Sequence, residues 1–248
     1  MGYFQKDPPR EDARPLGPGG RWLQAVTGHF CFVVCAGLLA GLSLVPGVLC
    51  VYGFISTGAL VFVLGWILAG AAAGPVWAGV QRAAWELQFG HPCYLYRGLL
   101  RWTRENLRQG AALGVLGAGL WTLLLSPAIL TLLGGAPMPV WLVVCLGLGA
   151  LVLASAGSYA FYQAVRWELK LRAVLVNSLL LLFAAGGRTL LAGGLWLALL
   201  AGLLLWYPVV FPLCVVTGLP VLLSITAQAF YAPRVDALLA GQEDGEAE

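Results

Sequence analysis

The residues able to do chemistry in this chain are few, and their spacing gives each a simpler role. Three glutamates lie away from the chain ends, Glu86, Glu105 and Glu168. Each has an arginine at helical spacing: Arg82 four residues before Glu86, Arg101 four before Glu105, and Arg172 four after Glu168. Opposite charges at i,i+4 neutralise one another on a helix face, and that accounts for all three carboxylates. No nucleophile, base and orienting group occur together, so no catalytic residue is assigned and no enzyme is expected. His29 reads as an interfacial histidine at the edge of an apolar run, and His91 lies beside Pro92 without the His or Cys spacing of a metal site. Cys31, Cys35, Cys50, Cys93, Cys145 and Cys214 form no C-x-x-C pair. Five of these lie in apolar runs, where a free thiol packs as a small hydrophobe. With no phosphate loop or dinucleotide fingerprint either, neither a metal nor a cofactor is expected, and nothing points to nucleic acid.

One patterned set of cations remains. Within Gln81–Gln109, Arg97, Arg101, Arg104 and Arg108 recur at steps of four, three and four. At 100° per residue they occupy one narrow arc of a helix, with Leu95, Leu99 and Trp102 on the opposite side. Such a stripe can hold anionic lipid headgroups, at about 1 kcal/mol per cation near the surface. It can also dock a cytoplasmic partner such as a transporter subunit, or face an internal crevice as an anion site. Asn106 lies 180° from Arg97, in the middle of the apolar face. A buried amide left unpaired costs on the order of 1–3 kcal/mol, so Asn106 is expected to find a backbone or helix-end partner and tie this helix to its surroundings.

The elements that position this stripe are strongly apolar. Hydrophobic residues make up 60% of the chain and charged residues 10%, which excludes an ordinary soluble domain. No Asp, Glu, Lys or Arg occurs from Trp22 through Gln81, from Gln109 through Val165, or from Thr189 through Pro233. Each run accommodates two spans of about 20 residues. The expected fold is an all-α integral membrane protein of six transmembrane helices, arranged as three hairpins with cytoplasmic amphipathic helices. The spans fall near 30–51, 57–80, 111–133, 140–161, 189–208 and 210–230. A flexible cytoplasmic lead over 1–20 precedes the transmembrane domain at 21–233, and an acidic cytoplasmic tail occupies 234–248. Neither a cleavable signal nor lipidation is expected.

Several local features refine this plan. Arg21 and Trp22 mark an interface, where indole and snorkelling arginine are favoured. Pro75 lies inside the second span and bends it, while Gly70, Ala73, Gly74 and Ala78 supply small faces for the close approach of another helix. The third and fourth spans are joined by the uncharged turn GGAPMP. The segment from Leu171 to Ala185 reads equally as interfacial or as a short re-entrant helix.

All fourteen basic residues fall in the lead, in Gln81–Gln109, in Gln163–Arg188 or at Arg234, and none in the connections after the odd-numbered spans. The positive-inside rule then places both termini and both basic segments in the cytoplasm, with the protein in the cell membrane. Pro46, Pro127 and Pro208 are spaced 81 residues apart, and QRAAWEL at Gln81–Leu87 recurs as QAVRWEL at Gln163–Leu169. A threefold parallel repeat of hairpin units is the corresponding expectation.

The opening Met1-Gly2-Tyr3-Phe4, the tract GAAAGPVWAGVQRAAWELQFG and the following HPCYLYRGLLRWTRENLRQGAALGVL resemble the YesL family of bacterial multi-pass membrane proteins. Trp102, Arg104, Asn106, Leu107, Arg108 and Gln109 match its aromatic, basic, Asn-containing signature, whereas Leu99 and Leu100 stand where the family often has Phe. The resemblance implies a non-enzymatic accessory or scaffold of carbohydrate or solute uptake. The partners it implies are the bilayer with its anionic headgroups, and either ABC transporter subunits or a second copy of the chain. The alternative is a facilitative transporter or pore without ion-coupling carboxylates, lined by Ser, Thr, Tyr and Trp of the spans, such as Ser155, Ser158, Tyr159, Ser224 and Gln228.

Overall fold

The computed structural model describes residues 17–89, 95–167, 169–206 and 217–246, and over these the chain is all helical. In chain order the helices are α1 (Pro18–Gly28), α2 (Phe30–Thr57), α3 (Val61–Phe89), α4 (Leu95–Glu105), α5 (Leu107–Leu133), α6 (Val140–Arg166), α7 (Leu171–Ala184), α8 (Gly187–Leu205) and α9 (Leu219–Glu246). Four of them are long and apolar enough to cross a membrane: α2, α3, α5 up to Thr131, and α6, with mean hydropathies between 1.8 and 2.3. At 1.5 Å rise per residue the 28 residues of α2 reach about 42 Å, beyond the roughly 30 Å of a hydrocarbon core. A fifth span results if α7 and the first part of α8, which meet at a bend of 109°, cross as one broken element. The large apolar side chains that these helices expose, among them Leu64, Leu68, Leu123, Leu130 and Val140, form a surface suited to hydrocarbon rather than water.

The expected spans and the helices agree in number and order through the fourth. The expected sixth span, near 210–230, begins at residues outside those described, and α9 supplies its second half. The lead over 1–20 is in part already helical, because Pro18 provides a favoured first helical position for α1. Gln228, Tyr231 and Val235 share one face of α9 at helical spacing and are all buried, so packing continues past Pro233.

α3 is the axis of the molecule. It packs along α2 on one side and α5 on the other, and it also contacts α4, α6 and α9. Against α5 its small residues allow backbone contact. A Cβ added to Gly70 would stand 2.6 Å from the Gly114 carbonyl oxygen, and one added to Gly110 would stand 2.8 Å from Pro75 Cα. Two small-x-x-x-small pairs, Gly70/Gly74 and Gly110/Gly114, therefore interlock, with packing at short range replacing a hydrophobic driving force that lipid cannot supply. α3 runs unbroken through Pro75. Its turns with α2 and the 134–139 turn lie at one end of the bundle. At the other, basic end Arg21 of α1 meets Phe89 near the C-terminus of α3, and Arg166 at the C-terminus of α6 meets Trp85 of α3.

Candidate functional site

The basic end is built in two layers. The inner layer is polar and uncharged. Gln81 of α3 and Gln228 of α9 are fully buried; Gln228 Nε2 donates to the Gln81 carbonyl oxygen at 3.0 Å and to Gln81 Oε1 at 2.6 Å. Gln81 Nε2 donates in turn to Ser224 Oγ at 3.2 Å, and that hydroxyl donates to the Pro220 carbonyl. Gln163 of α6 repeats the pattern: its Nε2 donates to Ser178 Oγ at 3.1 Å, and Ser178 donates to the Val174 carbonyl four residues earlier. The first residues of QRAAWEL and QAVRWEL thus share an amide-to-serine bond, although Gln163 has no second amide against its Oε1. Gln88 completes the layer by donating to the Ile225 carbonyl at 2.9 Å. Amides suit this position because each can bond across helices without the large desolvation cost of a charge.

Beside the amides lies an aromatic cluster. The Tyr231 ring meets Tyr159 and Tyr162 edge on, at centroid distances of 5.1 and 5.4 Å, a geometry that matches ring edges to faces. Tyr162 donates its hydroxyl hydrogen to Asp236 Oδ1 at 2.8 Å, while the Tyr159 hydroxyl and Thr189 Oγ1 lie 2.9 Å apart. Sequence reasoning missed this group, although Ala-Phe-Tyr occurs both at 160–162 and at 229–231. That repeated triplet was the available signal, and the position of Asp236 in an acidic tail concealed its partner.

The outer layer is cationic and aromatic. The Arg82 guanidinium carbon lies 5.0 Å from the Trp85 ring centroid and that of Arg166 lies 4.5 Å from the same ring. Arg166 also stands 5.5 Å from the Trp167 ring, and Arg21 stands 5.0 Å from Phe89. Arg82 is anchored further, donating from Nη1 to the Val165 carbonyl at 3.0 Å and pairing with Glu86 at 2.8 Å. Its bond to a terminal carbonyl of α6 places positive charge where that helix dipole is negative. Two guanidinium groups thus share one ring, and Glu86 offsets the charge of Arg82. Trp22, half-buried, donates its indole N–H to Thr226 Oγ1 at 2.9 Å, which fastens α1 to α9.

The arginine stripe forms on α4 for Arg97, Arg101 and Arg104, but the helix breaks at Asn106 and Arg108 falls on the first turn of α5. Leu95, Leu99 and Trp102 are buried against the core, whereas Arg97, Arg101, Arg104 and Arg108 are exposed. Because the apolar face packs on α3 and α2, α4 is a rigid part of the protein with its cations directed away from the bundle. Arg101 pairs with Glu105 at 3.3 Å. This pair is well exposed, and such pairs contribute at most about 1 kcal/mol. Glu168, the expected partner of Arg172, lies outside the described residues, as do His91 and Cys93.

Asn106 sits at the break between α4 and α5, where its Nδ2 donates to the Trp102 carbonyl at 2.9 Å. It therefore closes the end of its own helix rather than reaching across to another. Asn106→Leu is expected to lower stability in detergent micelles by about 1 kcal/mol, read as a fall in thermal midpoint. An unchanged midpoint would remove the capping role.

The side chains that could have lined a path are occupied with protein partners. Ser155 Oγ donates to the Leu151 and Thr189 carbonyls, and Ser158 Oγ donates to the Ala154 carbonyl. A cleft of about 40 Å³ between α2 and α3 is lined by Ser43, Gly47, Trp66 and Ala73. Among the described residues no cluster of three or more His, Cys, Asp or Glu side chains could hold a metal ion. Fold and site together define a helical protein with four or five apolar spans and a cationic, aromatic end. Comparison with protein-family models, curated proteins and solved structures finds no match for this chain.

Proposed function

We propose that this protein is a non-enzymatic, YesL-like accessory or scaffold of carbohydrate or solute uptake in the cell membrane, with six spans and both termini in the cytoplasm. The supporting observation is α4: its apolar face is used by the bundle, so its exposed arginines form a preorganised surface that can bind without first ordering a segment. A cytoplasmic subunit of an uptake system with an acidic face, such as an ABC transporter component, is the partner of matching chemistry. The amide-to-serine bond shared by Gln81 and Gln163 favours a parallel repeat of hairpin units, to which the third unit contributes α9.

The test is purification of the tagged full chain from its native membrane in mild detergent. Co-purification of a permease or ATPase subunit is expected, with recovery at least tenfold lower when Arg97, Arg101, Arg104 and Arg108 are all changed to Ala. Solute flux into liposomes carrying this chain alone would overturn the accessory reading. It would support the second one, a facilitative path, which is favoured by the 109° bend between α7 and α8, since broken helices in transporters flank the substrate.

A further inference from the structure

The outer layer of the basic end has a property that its packing does not use. Arg21 Nε, Arg82 Nε, Arg166 Nε and Trp167 Nε1 are all buried and have no hydrogen-bond partner among the described residues. Each of these four groups is a donor. The unpaired buried acceptors, Gln88 Oε1, Gln163 Oε1 and Gln228 Oε1, all belong to the inner amide layer instead. The carboxylate of Glu86 is paired with Arg82. Neither Arg21 nor Arg166 has an ion-pair partner among the described residues.

We infer that the Arg21, Arg82 and Arg166 cluster, walled by Trp85, Phe89 and Trp167, binds a phosphoryl group. The chemistry selects the ligand class. A site composed of N–H donors with excess positive charge excludes cations and disfavours neutral hydroxyl compounds, whose own donors would remain unpaired. It suits a tetrahedral oxyanion that offers acceptors in several directions and meets guanidinium groups in the forked geometry they favour. The aromatic faces hold the cations in place beforehand, so little ordering is required when the anion arrives. Two sources share this chemistry, the headgroup of an anionic phospholipid and a free phosphate. The site lies on α1, α3 and α6, apart from the α4 stripe, so it stands or falls independently of the docking surface proposed above.

The full chain, purified in a neutral detergent, is offered phosphatidylglycerol or phosphatidylcholine and the retained lipid is counted by native mass spectrometry. Phosphatidylglycerol is expected to be retained at least tenfold more strongly than phosphatidylcholine, and Arg21→Ala and Arg166→Ala should each reduce that retention at least tenfold. Arg166→Lys keeps the charge but loses the fork, and should fall between wild type and Arg166→Ala. Arg234→Ala, at an exposed arginine of α9 outside both surfaces, should leave retention unchanged. Elution volume and ligand-free thermal midpoint identify any variant that has not folded. If Arg166→Ala fails this check, Arg21→Ala carries the test, because the Arg21 side chain makes no cross-helix hydrogen bond among the described residues. Competition by inorganic phosphate as effective as that by lipid assigns the site to a soluble phosphoryl group. Persistence of bound lipid in excess phosphate assigns it to a headgroup. Equal retention of both lipids together with no protection by phosphate would overturn the inference, as would unaltered binding in folded Arg21→Ala and Arg166→Ala, or an equal loss in Arg234→Ala.

Discussion

Gly74→Leu is expected to prevent the bundle from assembling, with loss of the monodisperse species on size-exclusion chromatography. The reason lies in what a side chain would meet. A Cβ at Gly74 coincides with the Gly110 carbonyl group and stands 3.1 Å from Gly114 Cα. The obstacle is main chain, which cannot rotate aside as a flexible side chain does. Accommodation therefore requires α3 and α5 to move apart along the interface that holds the axis of the fold. Overpacking an ordinary core costs about 1–3 kcal/mol, and separation of two backbones forfeits dispersion contacts over several turns as well. Gly117→Leu is the matched control, because a Cβ there meets nothing within 4 Å, and it should leave yield and thermal midpoint unchanged. A Gly74→Leu protein that elutes and melts like wild type would show that close approach of α3 and α5 is dispensable.

Gln228→Leu should produce the second largest loss, about 2–3 kcal/mol in a reversible unfolding measurement. The substitution removes the donor that serves both the carbonyl and the Oε1 of Gln81, leaving a buried amide oxygen without water or partner. The sharper measurement is a double-mutant cycle. In Gln81→Leu/Gln228→Leu neither side chain has an amide to leave unpaired, and leucine is close to glutamine in volume. The double variant is therefore expected to be less destabilised than the sum of the single ones, with a coupling of roughly 1–2 kcal/mol. Simple additivity would mean that the two amides do not act as a pair.

The order of the first four spans, the burial of Leu95, Leu99 and Trp102, and the Arg82–Glu86 and Arg101–Glu105 pairs were legible from spacing alone. They share a cause: each rests on contacts within one helix or on the length of an apolar run. The small residues of α3 were visible too, but not that Gly110 and Gly114 face them. The partners of Trp22 and Asp236 were not legible, because Thr226 and Tyr162 come from distant parts of the chain.

What this sequence determined by itself is a helical chain of membrane-length apolar segments with its cations gathered between them and one rigidly amphipathic arginine helix. Hydrocarbon imposes that much locally, since every buried backbone group must be paired within its own helix and every charge kept out of the run. Only the tertiary structure decided which faces meet: Gln81 with Gln228, Gln163 with Ser178, and Arg166 on the ring of Trp85. In a membrane chain the lipid-facing and protein-facing sides are equally apolar, so hydropathy carries no record of the pairing. It is settled by short-range fit between small residues and by polar groups that find their partners only when the helices come together.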